Sequence, residues 1–460
     1  MAPTKQRHHT VVLVPATGFG HLNPALELAR QLAHRGVEVT IIVFHEHLPV
    51  AQRRVLKSPG FDAARASIRL VPFPEPLRGD NPSQPIAALT QVIREEFKLD
   101  LDQAAVPAEN GKVTKPSLLI SDCFVKCQDT ADELHIPRVV FWTAATLSES
   151  IFASVPLLIS TGHIPVHTSP HKDKIVSVLP GMPVPLATTR LPLCFYGVDH
   201  DFSPFAIACF ENSSRAQGFL ANTVEEIEAE VVAVQRSQLQ RYFPVGPLIP
   251  PEVLEDAVDH PVIHWLDGKP PLSVLYIAFG TESILPLHQF EKLVAGLESS
   301  KRAFVWSMRK VVPEAEDEFY DSVKRRLAGQ GLVVDWAPQR AILDHPSIGG
   351  FFTHCGWNST LEALCAGVPT LCWAFGAEQN MNSLLMTHKW GIGVEVGHGP
   401  DCDVDERGIG AAIEGLLAGE EGAAMRKRAM EMKGVVAAAM EPGGSSYESM
   451  NEFVRTFCPM

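Results

Sequence analysis

The run HCGWNST, His354 to Thr360, lies between a short β-type run, Ile348 to Phe352, and a helix-like run, Leu361 to Gly367. A strand that turns through Gly and small polar residues into a helix gathers backbone N–H groups and the positive helix end at one point. The stretch therefore reads as a cradle for a nucleotide diphosphate. Part of it has a plainer reading, because Ser359 and Glu362 match a capping box that needs no ligand. That reading leaves His354, Gly356 and Trp357 without a reason. Upstream, Trp336 follows the run LVVD in a WAPQ loop. An indole there either packs or offers a face on which a base stacks, at ~1–3 kcal/mol per base. Downstream, Glu378 and Gln379 follow a β-type run, and a carboxylate beside a carboxamide accepts from and donates to vicinal hydroxyls. Base platform, phosphate cradle and hydroxyl-binding pair thus follow in chain order between Trp336 and Gln379.

A second constellation lies far upstream. His21 stands in a Gly-rich turn, TGFGHLN, just ahead of an expected helix. Many such histidines are incidental, but a helix N-terminus favours a neutral imidazole, which with an ordinary pKa of about 6.5 can take a proton from a hydroxyl at physiological pH. Asp122 closes the run LLISD and Thr143 closes VVFWT. A carboxylate at a neighbouring strand end can orient the ring and stabilise its cation, as the third member of a hydrolytic triad does. D-x-D triplets, of the kind that bind Mn²⁺ elsewhere, pair Asp100 with Asp102, Asp199 with Asp201, Asp401 with Asp403, and Asp403 with Asp405. None follows an apolar strand, so in a chain this acidic they read as chance and no metal is expected.

Positioning these residues requires parallel strands that end side by side. Thr10 to Val43 reads as strand, Gly-rich turn, helix, strand, with Asn23 as the helix cap, Pro24 in its first turn and Gly36 at its end. Leu22, Leu26, Ala29 and Ala33 fall on one helical face. That βαβ unit implies a doubly wound parallel sheet with ligands at the carboxyl ends of its strands. A Pro-rich loop, Pro72 to Pro85, a helix near Ile86 to Leu101, a strand ending at Asp122, a helix over Lys126 to Leu134 and a strand ending at Thr143 continue it. From Ile151 to Arg241 the pattern blurs. Residues 246–260, rich in proline and acid, read as a linker, after which the α/β rhythm restarts. The fold expected is α/β, with two doubly wound Rossmann-like domains, 1–245 and 261–440, facing a cleft, and a C-terminal helix in 441–460 packing back on the first.

Bulk properties agree with such a protein. At 460 residues, 46% hydrophobic and 20% charged, the chain can bury large cores in more than one domain. A net charge of −14 argues against non-specific nucleic-acid binding. The apolar run Val11 to Pro15 is too short for a signal-peptide core, and no run reaches the ~18 residues a membrane helix needs. The nine cysteines show no zinc spacing, so reduced thiols in a cytosol are expected. A nucleotide-cofactor oxidoreductase is a rival for TGFGHLN, but Asn23 stands where the third glycine of that fingerprint belongs.

Through Trp336 to Gln379, together with PATGFGHLNP, LLISDCF, VVFWTAA, YIAFGTES and FVWSMR, the chain resembles the plant UDP-dependent glycosyltransferases of small molecules. The resemblance covers nearly the whole chain, in outline only from Ile151 to Arg241. It implies the GT-B fold, with the acceptor in the N-terminal half and the UDP-sugar in the C-terminal half. It implies that Trp336 stacks on uracil beside the Ala337 backbone, that Gln339 and Glu362 meet the ribose, and that His354, Asn358, Ser359 and Thr281 bind the diphosphate. Trp357, Glu378, Gln379 and Thr143 are then set against the sugar. Gln379 goes with glucose and Trp357 with a neutral hexose in that family, so UDP-glucose is the implied co-substrate, with no cofactor or metal. His21 and Asp122 fall on the family's base and its partner, which implies displacement with inversion to a β-glucoside. Ala374 replaces the proline of most members and Gly376 a bulkier residue, so the loop ahead of Glu378 is expected to be looser. A flavonoid or other phenolic acceptor is expected against Phe19, the Pro72 to Pro85 loop, residues after Ile86, and Ile151 to Phe205. FGTES, Phe279 to Ser283, resembles branch-forming members that extend an existing sugar. An inactive sugar-nucleotide binder is the other alternative, against which His21 and Asp122 argue. A cytoplasmic monomer without nucleic-acid or membrane partners is expected.

Overall fold

The computed structural model describes residues 9–62, 64–73, 84–97, 115–123, 125, 127–166, 174–196, 204–239, 241–252, 259–281, 283–313, 315–398, 402 and 404–459. They form two compact units. One holds the described residues of Met1–Ser154, Pro204–Val253 and Ala439–Met460; the other holds those of Val155–Ser203 and Leu254–Ala438.

The first unit is built on a sheet of β1 (Thr10–Val14), β2 (Glu38–Phe44), β3 (Ile68–Phe73), β4 (Leu118–Asp122), β5 (Arg138–Trp142), β6 (Phe219–Ala221) and β7 (Tyr242–Pro244). Every pairing is parallel, in the order β3-β2-β1-β4-β5-β6-β7. The interior strands TVVLV, LLISD and RVVFW are buried at every position, as parallel strands covered on both faces must be. Alternation along β1 sends Val11 and Leu13 into one core and Val12 and Val14 into another. The last helix, Ser445–Phe457, buries Met450, Phe453, Val454 and Phe457, an apolar stripe at helical spacing, with Phe453 and Phe457 edge-on to Phe243.

The second unit repeats the plan with β8 (Val274–Ala278), β9 (Ala303–Ser307), β10 (Gly331–Val334), β11 (Ile348–Thr353), β12 (Thr370–Ala374) and β13 (Gly393–His398), in the order β10-β9-β8-β11-β12-β13. Again every pairing is parallel. Leu275 and Ile277 face one core, Val274 and Tyr276 the other. Residues 155–203 are tied into this unit by Arg190, whose guanidinium grips Glu395 at 2.7 and 3.0 Å, with His398 2.9 Å away. Burial opposes ionisation of Glu395, but the bonds from His398 and Arg190 outweigh it and hold its pKa at about 2.

Two departures from the sequence expectations concern the first helix and the edges of the sheets. First, the helix after β1 spans Phe19–His34, starting before Asn23, which is therefore not its cap. Gly18, at φ 96°, makes the turn instead, and Pro24 sits inside the helix. Second, β3, β7 and β13 are strands that the sequence pattern hid. Each is an edge strand, where Pro72 and Pro244 are tolerated; β3 and β13 are half exposed, and β7 is buried but only three residues long. Pro72 thus belongs to a strand, and 74–83 of the expected loop lie outside the described residues, as do Asp100, Asp102, Asp199, Asp201, Asp401, Asp403 and Glu282. Asp405 caps the helix Glu406–Ala418 through the Gly408 N–H. Among the described residues, no helix is long and apolar enough to cross a membrane, and no three His, Cys, Asp or Glu gather as metal ligands would.

Candidate active site

In the first unit the three expected strand ends do meet. His21 sits in the first turn of Phe19–His34, Asp122 is the last residue of β4, and Thr143 directly follows β5. Asp122 Oδ2 lies 2.7 Å from His21 Nδ1, and Thr143 Oγ1 lies 2.9 Å from the same nitrogen. Asp122 is wholly buried while His21 keeps 23% of its side-chain surface exposed. A carboxylate accepts, so with Asp122 as its partner Nδ1 is the nitrogen that carries the imidazole proton. Cys123 donates its thiol to the other carboxylate oxygen at 3.4 Å. Burial and then the neighbouring Asp122 charge push that thiol pKa well up, so it stays protonated and able to donate. Thr143, which the family resemblance sets against the sugar, here has its hydroxyl on the imidazole.

The second unit carries the stretch Trp336 to Gln379. Trp336 follows β10 and is 48% exposed, standing edge-on to the His260 ring at 5.7 Å. Ala337 is buried behind it. Gln339 opens the helix Gln339–Leu343; its carbonyl accepts from the Tyr276 hydroxyl at 3.2 Å, and its amide donates to Ser359 Oγ at 3.0 Å and to the Glu362 carboxylate. The two expected ribose contacts are therefore bound to each other.

His354 follows β11. It is wedged between two glycines: a Cβ on Gly280 would stand 2.7 Å from its Nε2, and one on Gly356 would stand 2.4 Å away. Burial lowers its pKa to about 4, a backbone hydrogen bond to Ala278 opposing. Although the residue as a whole is half-buried, its Nδ1 is fully buried and has no hydrogen-bond partner, a deficit of ~1–3 kcal/mol. The helix starts at Trp357, not Leu361, with Gly356 as its cap residue and no side-chain cap. Ser359 is thus in the first turn and bonded to Gln339, so the capping-box reading fails. An uncapped helix start is the geometry that holds an anion. Asn358 and Ser359 flank it half-buried, and Thr281 is exposed just after Gly280. The Trp357 indole is only 3% exposed and packs on Trp390, so its ring is turned to the core.

The Gln379 carbonyl accepts from the N–H groups of Phe375 at 2.9 Å and Gly376 at 3.0 Å. Those bonds close the turn that the Ala374 and Gly376 replacements were expected to loosen, and leave the Gln379 Nε2 as the part able to donate to a sugar hydroxyl. Glu378 Oε1 accepts from Asn382 at 3.2 Å. Sequence reasoning missed Tyr276, His260, Cys123 and Asn382. Only Asn382 had a signal, its helical i+4 spacing from Glu378.

Residues 102–421 match the family described as "UDP-glucoronosyl and UDP-glucosyl transferase". The chain is 30% identical over 487 residues to a 7-deoxyloganetin glucosyltransferase of Catharanthus roseus, covering 96% of this chain and 95% of that protein. It is 30% identical over 483 residues to an (R)-mandelonitrile beta-glucosyltransferase of Prunus dulcis, covering 98% and 97%. Among solved structures it is similar to a UDP-glucosyltransferase of Polygonum tinctorium capable of glucosylating indoxyl, with TM-score 0.81, 28% identity and coverage of 98% and 99%. A Medicago truncatula protein complexed with UDP-glucose gives TM-score 0.77, 25% identity and coverage of 98% of each chain.

Proposed function

The chain belongs to the UDP-glycosyltransferase family, in its plant type and with its GT-B fold, and on that premise we propose that it moves glucose from UDP-glucose to a hydroxyl of a small lipophilic acceptor. The relatives' names support glucose transfer to small molecules. A flavonoid or other phenolic is the acceptor class we assign.

The observation that carries the mechanism is the His21–Asp122 contact of 2.7 Å. With Nδ1–H held by Asp122, His21 Nε2 takes the proton of the acceptor hydroxyl. The acceptor oxygen then forms its bond to the anomeric carbon from the face opposite UDP, and the bond from that carbon to the diphosphate oxygen breaks. The α-linked donor becomes a β-glucoside, the proton resides on the imidazolium, and Asp122 offsets that charge. General-base catalysis of this kind contributes ~10²–10⁴-fold. The diphosphate is received at the uncapped start of Trp357–Ala366 and at His354, while Trp336 stacks on the base and Gln379 and Glu378 read the sugar hydroxyls. Neutral donors and the helix end suffice for the leaving group, so no metal or cofactor is needed. We place it in the cytoplasm as a monomer, and its nine cysteines, none of them in a disulfide, fit a reducing compartment.

The test is a panel of phenolic aglycones and their glucosides with UDP-glucose, read by the mass of one added hexosyl unit and the anomeric configuration of the product. His21→Ala is expected to retain UDP binding and to lose turnover by ~10²–10⁴-fold. Turnover near the parent rate, or an α-linked product, refutes the mechanism.

A further inference from the structure

Asn382 is wholly buried on the short helix Gln379–Leu384, one turn beyond Glu378. Its Nδ2 donates to the Cys355 carbonyl at 2.9 Å and to Glu378 Oε1 at 3.2 Å. The first acceptor belongs to the turn between β11 and the helix Trp357–Ala366, the second to the pair read here as recognising the sugar. A carboxamide nitrogen has two hydrogens, so one group can serve both acceptors at once.

The turn needs such a hold. Cys355 lies at φ 67°, a left-handed conformation unusual for a residue with a side chain, and its own N–H is held by Thr353 Oγ1 at 3.1 Å. Fixing the Cys355 carbonyl fixes the plane of the Cys355–Gly356 peptide and so turns the Gly356 N–H to the opposite side. The Asn382 oxygen, meanwhile, is buried with no hydrogen-bond partner. An apolar side chain of similar size would avoid that orphaned acceptor, so what Asn382 supplies is its two N–H contacts.

We propose that Asn382 is a positioning residue of the donor site, clamping the diphosphate turn and the Glu378 carboxylate in one frame so that sugar selection is registered on the bound diphosphate. This rests on the donor-site reading given above. It touches neither UDP nor glucose; it acts through Cys355 and Glu378.

A double-mutant cycle tests it, with kcat/KM measured for UDP-glucose and UDP-galactose and UDP affinity by calorimetry. Asn382→Ala is expected to lower kcat/KM for UDP-glucose by about tenfold or more and to narrow the preference over UDP-galactose, whereas in a Glu378→Ala background the same change costs at least about threefold less, the remaining loss being that of the Cys355 contact. Asn382→Leu, close in size and without any donor, should behave like the alanine variant, and keeps the test alive if alanine at this buried position fails to fold. Asn382→Ser, which retains one donor, should fall between. Losses that simply add across the cycle, or a preference between the two sugars that stays at the parent value, overturn the proposal. The donor reading itself fails differently: the parent protein would then neither bind UDP nor turn over UDP-glucose.

Discussion

Gly356→Ala isolates the contribution of His354. Gly356 has φ −61°, which any residue adopts, so a methyl there adds no backbone strain. Its Cβ would nevertheless stand 2.4 Å from His354 Nε2 and 3.0 Å from Cε1, roughly 1 Å inside ordinary contact. A ring wedged in the core has no flexible end to yield, so the imidazole must move and with it the Nδ1 that lacks a partner. A hydrogen bond to a charged group contributes about 1.5–3 kcal/mol. At about 1.4 kcal/mol per tenfold, UDP binding should weaken roughly 10- to 150-fold. Gly280→Ala should push the same ring, its Cβ 2.7 Å from Nε2, but at φ +74° it adds a left-handed cost of ~1–2 kcal/mol to folding. Titration calorimetry with UDP and thermal melts separate the two effects: both variants lose affinity, and Gly280→Ala melts lower. His354→Ala provides the control, because once the ring is gone the Gly356 methyl has nothing to displace. If Gly356→Ala bound UDP within about twofold of the parent, or cost as much in the His354→Ala background as alone, His354 would not be the group that holds the diphosphate.

Other predictions test separate parts of the structure. Asp122→Asn removes a charge at hydrogen-bond distance from His21, worth up to about 4 kcal/mol at an effective dielectric of 20 and less with His21 23% exposed, so kcat should fall ~30- to 1000-fold with UDP affinity unchanged; equal loss of both would mean a structural role. Trp336→Ala should weaken UDP by ~1–3 kcal/mol without altering kcat at saturating donor, and unchanged UDP affinity by calorimetry removes the stacking role. Glu149 has its pKa raised from 4.5 to about 8, chiefly by burial, with the Glu228 charge adding and a Tyr242 hydrogen bond opposing. Because the folded form holds a proton that the unfolded form releases, stability falls as pH rises from about 4.5 and levels off above 8, by an amount on the order of 3–5 kcal/mol. Glu149→Gln should therefore raise the melting temperature most at pH 8, and parallel melting curves for parent and variant across pH 5–8 would count against it.

The legible parts of the sequence were those where local pattern and tertiary role coincide. Val- and Ile-rich interior strands announce themselves because both faces are buried, and His21, Asp122 and Thr143 could be placed at neighbouring strand ends for that reason. The edge strands β3, β7 and β13 could not: β3 and β13 are half exposed and their apolar signal thins, while β7 is buried but only three residues long and ends in a proline. Helix starts were misplaced where glycine, not a polar cap, makes the turn, as at Gly18 and Gly356. Partners across the fold left no trace either. Nothing local shows that Thr143 reaches His21, that Gln339 joins Tyr276 to Ser359, or that the Gln379 carbonyl closes its own turn.

Each sheet reverses its strand order once beside its first strand, and each unit's candidate residues stand at that point. In the first unit the reversal falls between β1 and β4, with His21 after one and Asp122 ending the other; in the second it falls between β8 and β11, with Gly280 after one and His354 after the other. Doubly wound sheets open a crevice there and offer a helix start to whatever enters. Topology alone would let either crevice take a diphosphate. The side chains decide: a buried carboxylate at Asp122 would repel a phosphate ~6 Å away by about 3 kcal/mol at an effective dielectric of 20, whereas His354 is held neutral and its helix starts at a bare glycine. The same carboxylate that would bar an anion would stabilise a cation, which suits the first crevice to the base proposed for His21 and leaves the second for the diphosphate proposed at His354.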